Sequence, residues 1–290
     1  MGTTNDTLDV TVIVPVKDDA ALLPELLSGL KDFARVVVVD SSHDPATQRI
    51  AAEYGADVLV FAWDGQYPKK RNWALANAKI TTNWILFLDA DERVTPPFVG
   101  ALRATLPTTT HAGFWLRYNT FFLGKELRHG VPQRKLALVQ NGHGEYERID
   151  EQHWSALDME IHEHLIVRGT TAELAARLIH LDARSIHKYC VRHAEYASWE
   201  ARRYLRLRAT TQPRALTFRQ RVKYAVLTWS GFPLAYFVLQ YIVRLGFLDG
   251  RAGILFAMLK MGYFAQVQAK IAEARLSGFH STTPSTGDSK

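Results

Sequence analysis

The first ninety residues alternate short apolar segments with segments of helical periodicity. The apolar segments are Val10–Val16, Val36–Val39, Ala56–Phe61 and Trp84–Leu88, and the helical patterns between them cover Leu22–Leu30, Thr47–Tyr54 and Lys70–Ala78. Strands that are apolar on both faces and alternate with helices are typical of a mostly parallel sheet with covered faces. The sequence therefore predicts an α/β fold of Rossmann type for its first half.

Acidic residues follow two of these strands. Asp40 ends the second strand, and Asp89 and Asp91 follow the fourth with one alanine between them. Ligands of open α/β sheets bind outside the carboxyl ends of the strands, and two such aspartates can present oxygens to one hard divalent cation and a diphosphate. The glycine-rich motifs GxxxxGK[ST] and GxGxxG are absent, which disfavours a P-loop enzyme and a dinucleotide-binding domain. A lone D-x-D also fits a turn and helix cap before Pro96.

Four segments, in this order, resemble the family 2 glycosyltransferases of the GT-A fold: VTVIVPVKDDA (Val10–Ala20), VVVVDSSHDPAT (Val36–Thr47), KKRNWALANA (Lys69–Ala78) and WILFLDADERV (Trp84–Val94). More narrowly, DADERVTP, YNTFFLGKELRHG, IHEHL and LGFLDGRAG resemble the bacterial lipopolysaccharide-core branch. The resemblance spans Val10–Arg275. It implies an enzyme that moves a hexosyl or heptosyl group from a nucleotide-sugar to a lipid-linked or cell-envelope saccharide.

The resemblance also implies roles for particular residues. Asp91 would bind Mg²⁺ or Mn²⁺ directly, and Asp89 would lie near the ribose and diphosphate. Asp40 would receive the base or its ribose, and Arg71 with Asn72 would contact the diphosphate. Pro15, Val16 and Lys17 would line the nucleotide pocket, whereas Lys69 is predicted to be a solvated start to its helix.

An inverting transfer needs a carboxylate base on the acceptor side, beyond Val94. The candidates are Asp150, Glu151, Asp158, Glu160 and Glu163. Glu163 is chosen as the base because its apolar neighbours predict a strand, on which its side chain points away from those of His162 and His164. Burying a carboxylate at such a position costs free energy unless it has a role or a partner. The alternative is a structural ion pair with Arg134 or Arg168. Further candidates for acceptor or diphosphate contacts are Arg128, His129 and His162.

The positive charge is concentrated in one segment. Residues 184–223 contain eleven lysines and arginines against two glutamates, whereas the whole chain carries +6. Within it, Ser185–Leu207 predicts an amphipathic helix with Ile186, Tyr189, Cys190, His193, Tyr196, Ala197 and Tyr204 on its apolar face and Arg192, Arg202, Arg203 and Arg206 facing solvent or lipid.

Two apolar runs follow the basic segment, Ala225–Val243 and Gly253–Phe264, and the first is interrupted near Gly231–Pro233. Basic residues beside apolar ones indicate that this region binds an anionic membrane surface, at the cytoplasmic face of a bacterial inner membrane. Spanning and interfacial attachment both remain open, as does a buried helical hairpin in a soluble protein.

The predicted organisation has four parts. Residues 1–110 form the nucleotide-sugar-binding half of the GT-A domain and 111–183 the acceptor-side half, followed by a helical membrane-associating region (184–275) and a flexible tail (276–290). A single cysteine excludes an internal disulfide framework, and the polar residues Met1–Asp9 predict no secretion signal. Alternative functions are a nucleotidyltransferase and a non-catalytic membrane-bound scaffold; nucleic acid is disfavoured because the basic segment carries no known reading motif.

Overall fold

The structure is a computed structural model that describes residues 7–149, 157–160, 163–181, 185–209 and 218–276. The chain divides into two compact units, residues 1–183 and 184–290. The boundary predicted at residue 110 and the flexible tail stay predictions, and all of the tail except Leu276 lies outside the described residues.

The first unit begins with the predicted parallel sheet. Strands β1 (Leu8–Val16), β2 (Phe33–Asp40), β3 (Asp57–Val60) and β4 (Trp84–Phe87) lie in the order β3-β2-β1-β4, and all three pairings are parallel. Helices α1 (Leu23–Ser28), α2 (Ala46–Glu53) and α3 (Lys70–Asn77) connect them. The four predicted strands and three helices are confirmed within a few residues. Strands β1 and β4 are buried on both faces, as their apolar composition predicts.

The same sheet continues with mixed pairing. Its remaining elements are β5 (Glu92–Arg93), α4 (Pro96–Thr105), β6 (Gly113–Phe122), β7 (Lys125–Leu127), β8 (Arg134–Gln140) and β11 (Thr171–Leu181), while β9 (Gly144–Tyr146) and β10 (Leu165–Val167) form a separate antiparallel pair. Strand β8 is antiparallel to β4 and β6, and β11 is parallel to β6 and antiparallel to β5. These pairings bring β8 and β11 to the edge where β4 ends.

The second unit is helical. It contains α5 (Ile186–Ala209), α6 (Phe218–Val226), α7 (Phe232–Val238), a π-helical turn (Leu239–Val243), a 3₁₀ turn (Gly246–Asp249) and α8 (Gly250–Leu276). The predicted interruption is confirmed: α6 ends before it, and α7 begins after Gly231 with Pro233 in its first turn. Among the described helices, none combines the length and apolar character needed to cross a bilayer.

Helix α5 confirms the helix predicted over Ser185–Leu207, but not every face assignment. Tyr189, Ala197 and Tyr204 are buried as predicted, whereas Ile186 and Cys190 are exposed. Arg203, predicted to face solvent or lipid, is buried with its guanidinium 5.2 Å from the ring centre of Trp199. The long aliphatic part of an arginine can pack against apolar groups. A prediction of exposure from the residue type alone is therefore wrong for Arg203.

Candidate functional site at the carboxyl edge of the sheet

The predicted donor residues lie at the ends of β1 and β2. Pro15 and Val16 are the last residues of β1 and are buried, and Val16 pairs in register with Asp40. Asp40 is buried, and its carboxylate accepts hydrogen bonds from the Ser42 amide (2.9 Å) and the Gln48 side chain (3.3 Å). Lys17 is exposed, with its ammonium 3.6 Å from a carboxylate oxygen of Asp158.

Asp89 lies between two cations. One carboxylate oxygen is 2.5 Å from the Arg71 guanidinium, and the other is 2.8 Å from the Lys135 ammonium. Burial by itself raises the pKa of Asp89, but the charges of Lys135 and Arg71 hold that pKa well below its usual range. Asp89 is therefore a carboxylate whose charge is neutralised from both sides, and both its oxygens are already engaged.

Glu92 belongs to the same group. Its Oε2 accepts the Asp89 amide hydrogen at 3.1 Å, and its Oε1 lies 3.9 Å from Lys135. Burial, reinforced by the negative charges of Asp89 and Asp91 and opposed by Lys135, raises the pKa of Glu92 to about 7. Three carboxylates thus converge after β4, and of these Glu92 takes up a proton more readily than Asp89.

Asp91 faces a histidine of strand β11. The backbone carbonyl of Asp91 accepts the Leu181 amide hydrogen at 2.8 Å, and its buried carboxylate lies 3.7 Å from Nε2 of His180. Burial lowers the pKa of His180, but the carboxylates of Asp91, Glu92 and Asp89 together raise that pKa above its ordinary value. Nδ1 of His180 is buried without a hydrogen-bond partner in the described structure.

Asp91 and His180 suit a divalent cation as a pair of ligands. Mg²⁺ and Mn²⁺ accept carboxylate oxygen, Mn²⁺ also accepts imidazole, and such ions take their remaining ligands from phosphate and water. Within the described ranges, no cluster of three or more histidine, cysteine or acidic side chains is arranged to hold a metal by itself. Two ligands of this kind leave the remaining coordination positions of a divalent cation open to phosphate and water.

The basic run at the start of α3 is buried and paired with acids from residues 157–163. The Lys69 ammonium is 2.9 Å from Glu163 Oε1, and the Lys70 ammonium is 3.1 Å from Asp158 Oδ2. The Lys70 ammonium also donates to the Val16 carbonyl at 2.9 Å. The prediction that Lys69 is a solvated helix start is therefore wrong, because only 7% of its side chain is exposed and a carboxylate lies against it.

Glu160 caps α3 from 89 residues away. Its two carboxylate oxygens accept the amide hydrogens of Arg71 (2.8 Å) and Asn72 (3.0 Å), and its backbone carbonyl accepts a hydrogen bond from the Arg71 guanidinium. A carboxylate at this position satisfies amides that have no partner within the helix and interacts favourably with the helix dipole. Asn72 and Tyr146 exchange two further hydrogen bonds, of 2.9 and 2.8 Å, which fix α3 to β9.

Glu163, the predicted base, is buried but does not lie on a strand. It precedes β10, which begins at Leu165, so the strand predicted for this segment starts two residues too early. Its ion pair with Lys69 replaces the predicted partners Arg134 and Arg168. A cavity of about 30 Å³, enough for one water molecule, is lined in part by Lys69, Glu160 and Glu163.

The predicted acceptor contacts are less defined. Arg128 and His129 follow β7 and are exposed, and Arg128 forms an ion pair with Glu126 at 2.9 Å. His162, together with the alternative bases Asp150 and Glu151, lies outside the described residues.

Sequence reasoning missed the roles of Lys135 and His180. The antiparallel register of β8 with β4 pairs Leu86 with Leu138, and the same register continued by three residues brings Lys135 to Asp89. The register of β11 with β5 pairs His180 with Glu92, next to Asp91. Neither pairing carries a local sequence signal, because both depend on which strands become neighbours.

Comparisons with known proteins agree with this architecture. A solved mannosyltransferase, PcManGT from Pyrobaculum calidifontis in complex with GDP-Man and Mn²⁺, is 15% identical, with 94% of this chain and 88% of that chain covered at a TM-score of 0.50. At that identity the likeness concerns the fold, and it confirms the predicted GT-A-like α/β class.

Two curated relatives match over shorter segments. A TPR repeat-containing protein of Synechococcus elongatus is 40% identical over 86 residues, which are 29% of this chain and 21% of the relative. An uncharacterized glycosyltransferase of Rickettsia felis is 31% identical over 86 residues, 29% of each protein. The chain thus matches less than a third of the length of these relatives.

The family model for glycosyl transferase family 2 matches residues 11–166, more than half of the chain. This match includes the ends of β1, β2 and β4, the basic start of α3 and the acids that cover it. The chain therefore belongs to glycosyl transferase family 2.

Proposed function

We propose that this enzyme transfers a hexosyl or heptosyl group, with inversion, from a nucleotide-sugar to a lipid-linked or cell-envelope saccharide, as in the lipopolysaccharide-core branch that its sequence resembles. The observation that carries the proposal is the carboxylate group after β4, in which Asp89 is held by two cations while Asp91 faces His180. Such a group is suited to a ligand that brings both a polyol and a diphosphate with its cation.

The donor is assigned to the carboxyl edge of the sheet. Asp40 would accept hydrogen bonds from the base or ribose, beside Pro15, Val16 and Lys17, and Asp89 with Arg71 would lie at the ribose and diphosphate. Because Arg71 and Lys135 already hold Asp89 in place, little reorganisation of charge is needed when a diphosphate arrives.

Mg²⁺ or Mn²⁺ is proposed to bind Asp91 and His180. The related mannosyltransferase holds Mn²⁺ with GDP-Man, and the paired carboxylate and imidazole here are suitable ligands for the same ion. When bound, the ion supplies positive charge to the leaving diphosphate. The protein contributes by holding Asp91 in a buried position and by orienting His180 through the pairing of β11 with β5.

Glu163 is proposed to accept the proton of the acceptor hydroxyl as that oxygen bonds to the anomeric carbon, while the bond from that carbon to the diphosphate oxygen breaks and the nucleoside diphosphate leaves. The Lys69 ammonium at 2.9 Å holds the carboxylate in one orientation, and burial limits competing water. Arg128, His129 and His162 are proposed to contact the acceptor or the diphosphate. The acceptor is proposed to be lipid-linked, at the cytoplasmic face of a bacterial inner membrane, because the second unit exposes many large apolar side chains.

A screen of nucleotide-sugars tests the proposal. The full chain is incubated with each donor, with and without Mg²⁺ or Mn²⁺ and with and without bacterial lipid extract, and release of nucleoside diphosphate is measured. We expect metal-dependent release from one donor class, increased by the extract. If no donor binds or is cleaved, or if the protein instead forms a nucleotide-sugar and pyrophosphate from a nucleoside triphosphate and a sugar phosphate, the proposed function is wrong.

A further inference from the structure

The second unit exposes an unusual number of large apolar side chains over a short stretch. Of the 21 exposed large hydrophobic residues in the described structure, 11 lie between positions 229 and 258. We call residues 229–258 the apolar corner. Its most exposed members include Trp229 (59%), Leu234 (60%), Ile242 (51%), Val243 (63%) and Leu248 (54%). Scattered exposed hydrophobic residues are normal, but this density marks an interaction surface.

The apolar corner is a built surface held by close backbone packing. A Cβ placed on Gly253 in α8 would lie 2.1 Å from the carbonyl oxygen of Gly246, and one on Gly246 would lie 2.7 Å from that of Gln240. The first turn of α8 therefore packs directly on the 3₁₀ and π-helical turns before it. Leu245 adopts a left-handed conformation with φ of 59° to make this corner.

Charge around the apolar corner has one sign. Residues 218–272 contain a single acid, Asp249, which is 4% exposed. Arg244 and Arg251 are exposed beside the most exposed apolar residues. The surface therefore presents apolar groups flanked by arginines, with no exposed carboxylate from this part of the sequence.

We infer that the apolar corner docks on the surface of an anionic lipid bilayer, with the apolar side chains entering the boundary of the acyl chains and the two arginines binding headgroups. Lipid supplies the negative charge that this surface lacks. In a two-fold contact with a second copy of the chain, the arginines would face a surface without carboxylates, which is unfavourable. Apolar side chains flanked by basic residues are the features that bind interfacial segments to anionic membranes.

The proposed membrane contact lies on the apolar corner and not on α5, the helix that contains most of the arginines of the basic segment. Arg203 of α5 is buried, and Lys223 forms an ion pair with Glu200 of α5 at 2.9 Å. Part of the basic segment thus serves packing within the second unit. The apolar corner, which follows that segment in the chain, presents the lipid-facing groups.

Flotation of the full chain with vesicles tests the inference without any sugar donor, so its failure is distinct from failure of the proposed function. The vesicles contain phosphatidylcholine alone or mixed with phosphatidylglycerol. We expect the wild type to float with the anionic vesicles, and the double variant Leu234→Glu with Val243→Glu to lose at least tenfold in affinity. Val191→Glu, at an exposed apolar position of α5, is the matched control and should bind as the wild type does.

A second pair of variants tests the charge. Arg244→Gln and Arg251→Gln should each weaken binding to anionic vesicles about fivefold and leave binding to phosphatidylcholine alone unchanged. Circular dichroism melting confirms that each variant is folded. The inference is overturned if the wild type floats with neither vesicle, if Val191→Glu abolishes binding while the corner variants bind normally, or if the protein forms a lipid-free dimer that the corner variants dissociate.

Discussion

The two units of the molecule depart from the usual burial rule in opposite directions. The first unit buries charges: Lys70 and Glu160 are each 1% exposed, and Lys69, Arg71 and Asp158 are also buried. The second unit exposes apolar groups such as Trp229 and Val243, and its hydrophobic core cluster contains seven buried residues among those described. Charged residues are rarely buried without partners, and exposed apolar patches are limited on proteins that act alone.

The two units differ in where the groups that pair with these side chains lie. The buried charges of the first unit are matched within the same unit, since Lys69, Lys70 and the amides of Arg71 and Asn72 each meet an acid from residues 157–163. The exposed apolar groups of the second unit have no such match in the described structure. The first unit is therefore organised for a ligand that enters a preset electrostatic site, and the second for a surface outside the molecule.

The largest expected loss of activity follows substitution of Asp91, the carboxylate that we assign to the divalent metal ion. Asp91→Ala should lower metal-dependent donor cleavage and transfer by about a thousandfold or more, because the ion on the leaving group contributes several kcal/mol. Titration with Mn²⁺ followed by electron paramagnetic resonance should show weaker binding. Asp57→Ala, on an exposed aspartate paired with Arg35, is the control and should retain activity. Full activity of Asp91→Ala would contradict the metal assignment.

The next effect separates binding from proton transfer within the buried charge network. Glu163→Gln should retain donor binding and lose about a hundredfold to ten-thousandfold in transfer rate, as expected when a general base is removed. Donor affinity is measured by calorimetry and the rate by release of nucleoside diphosphate. Glu145→Gln, on the exposed face of β9, should be unaffected. If Glu163→Gln turns over normally while Asp150→Asn is inactive, the base is misassigned.

A third prediction breaks one matched pair. Asp158→Asn should lower the free energy of unfolding by about 3 kcal/mol, because it leaves the buried Lys70 ammonium without its counter-ion. Adding Lys70→Met should restore much of the loss, since an apolar side chain needs no partner there. Urea denaturation of the single and double variants measures both effects. A double variant less stable than Asp158→Asn would show that the pair is not the source of the loss.

The pH dependence of this pair has a definite sign. Burial raises the pKa of Asp158, but the Lys70 charge and the Ser41 hydroxyl lower it below its ordinary value of 3.8. The stability it contributes is therefore fully present above that value and is lost as the pH falls through the lower folded-state pKa. The stability difference between wild type and Asp158→Asn should therefore stay constant from pH 7 to about pH 4.5 and shrink as the pH falls below 3.8.

The sequence predicted the strands and their acidic ends because those features are local. An apolar β-branched run followed by an aspartate is visible without knowledge of strand order, and Asp40, Asp89 and Asp91 were located that way. Lys135 and His180 reach the same edge only through antiparallel pairings, which no local pattern specifies. The cap of α3 by Glu160 spans 89 residues and was likewise invisible.

Burial of charged residues was the weakest part of the sequence-based prediction. Lys69 and Arg203 were assigned to solvent because their residue types are usually exposed, and both are buried against a specific partner. Glu163 is buried, as its apolar sequence context indicates, and its role as the base stays a prediction. Its partner was missed, because Lys69 lies 94 residues away in the chain.

The smallest effects test what holds the exposed apolar groups of the second unit in place. Gly253→Ala should destabilise this unit by about 2 kcal/mol, because its Cβ meets the Gly246 carbonyl oxygen and helix α8 has to shift. Gly262→Ala, in the same helix with open space at its Cβ, should stabilise by about 1 kcal/mol through reduced freedom of the unfolded chain. Urea denaturation followed by tryptophan fluorescence compares the two. Equal effects would show that the apolar corner does not depend on this close contact, and that its exposed side chains are held by the small core alone.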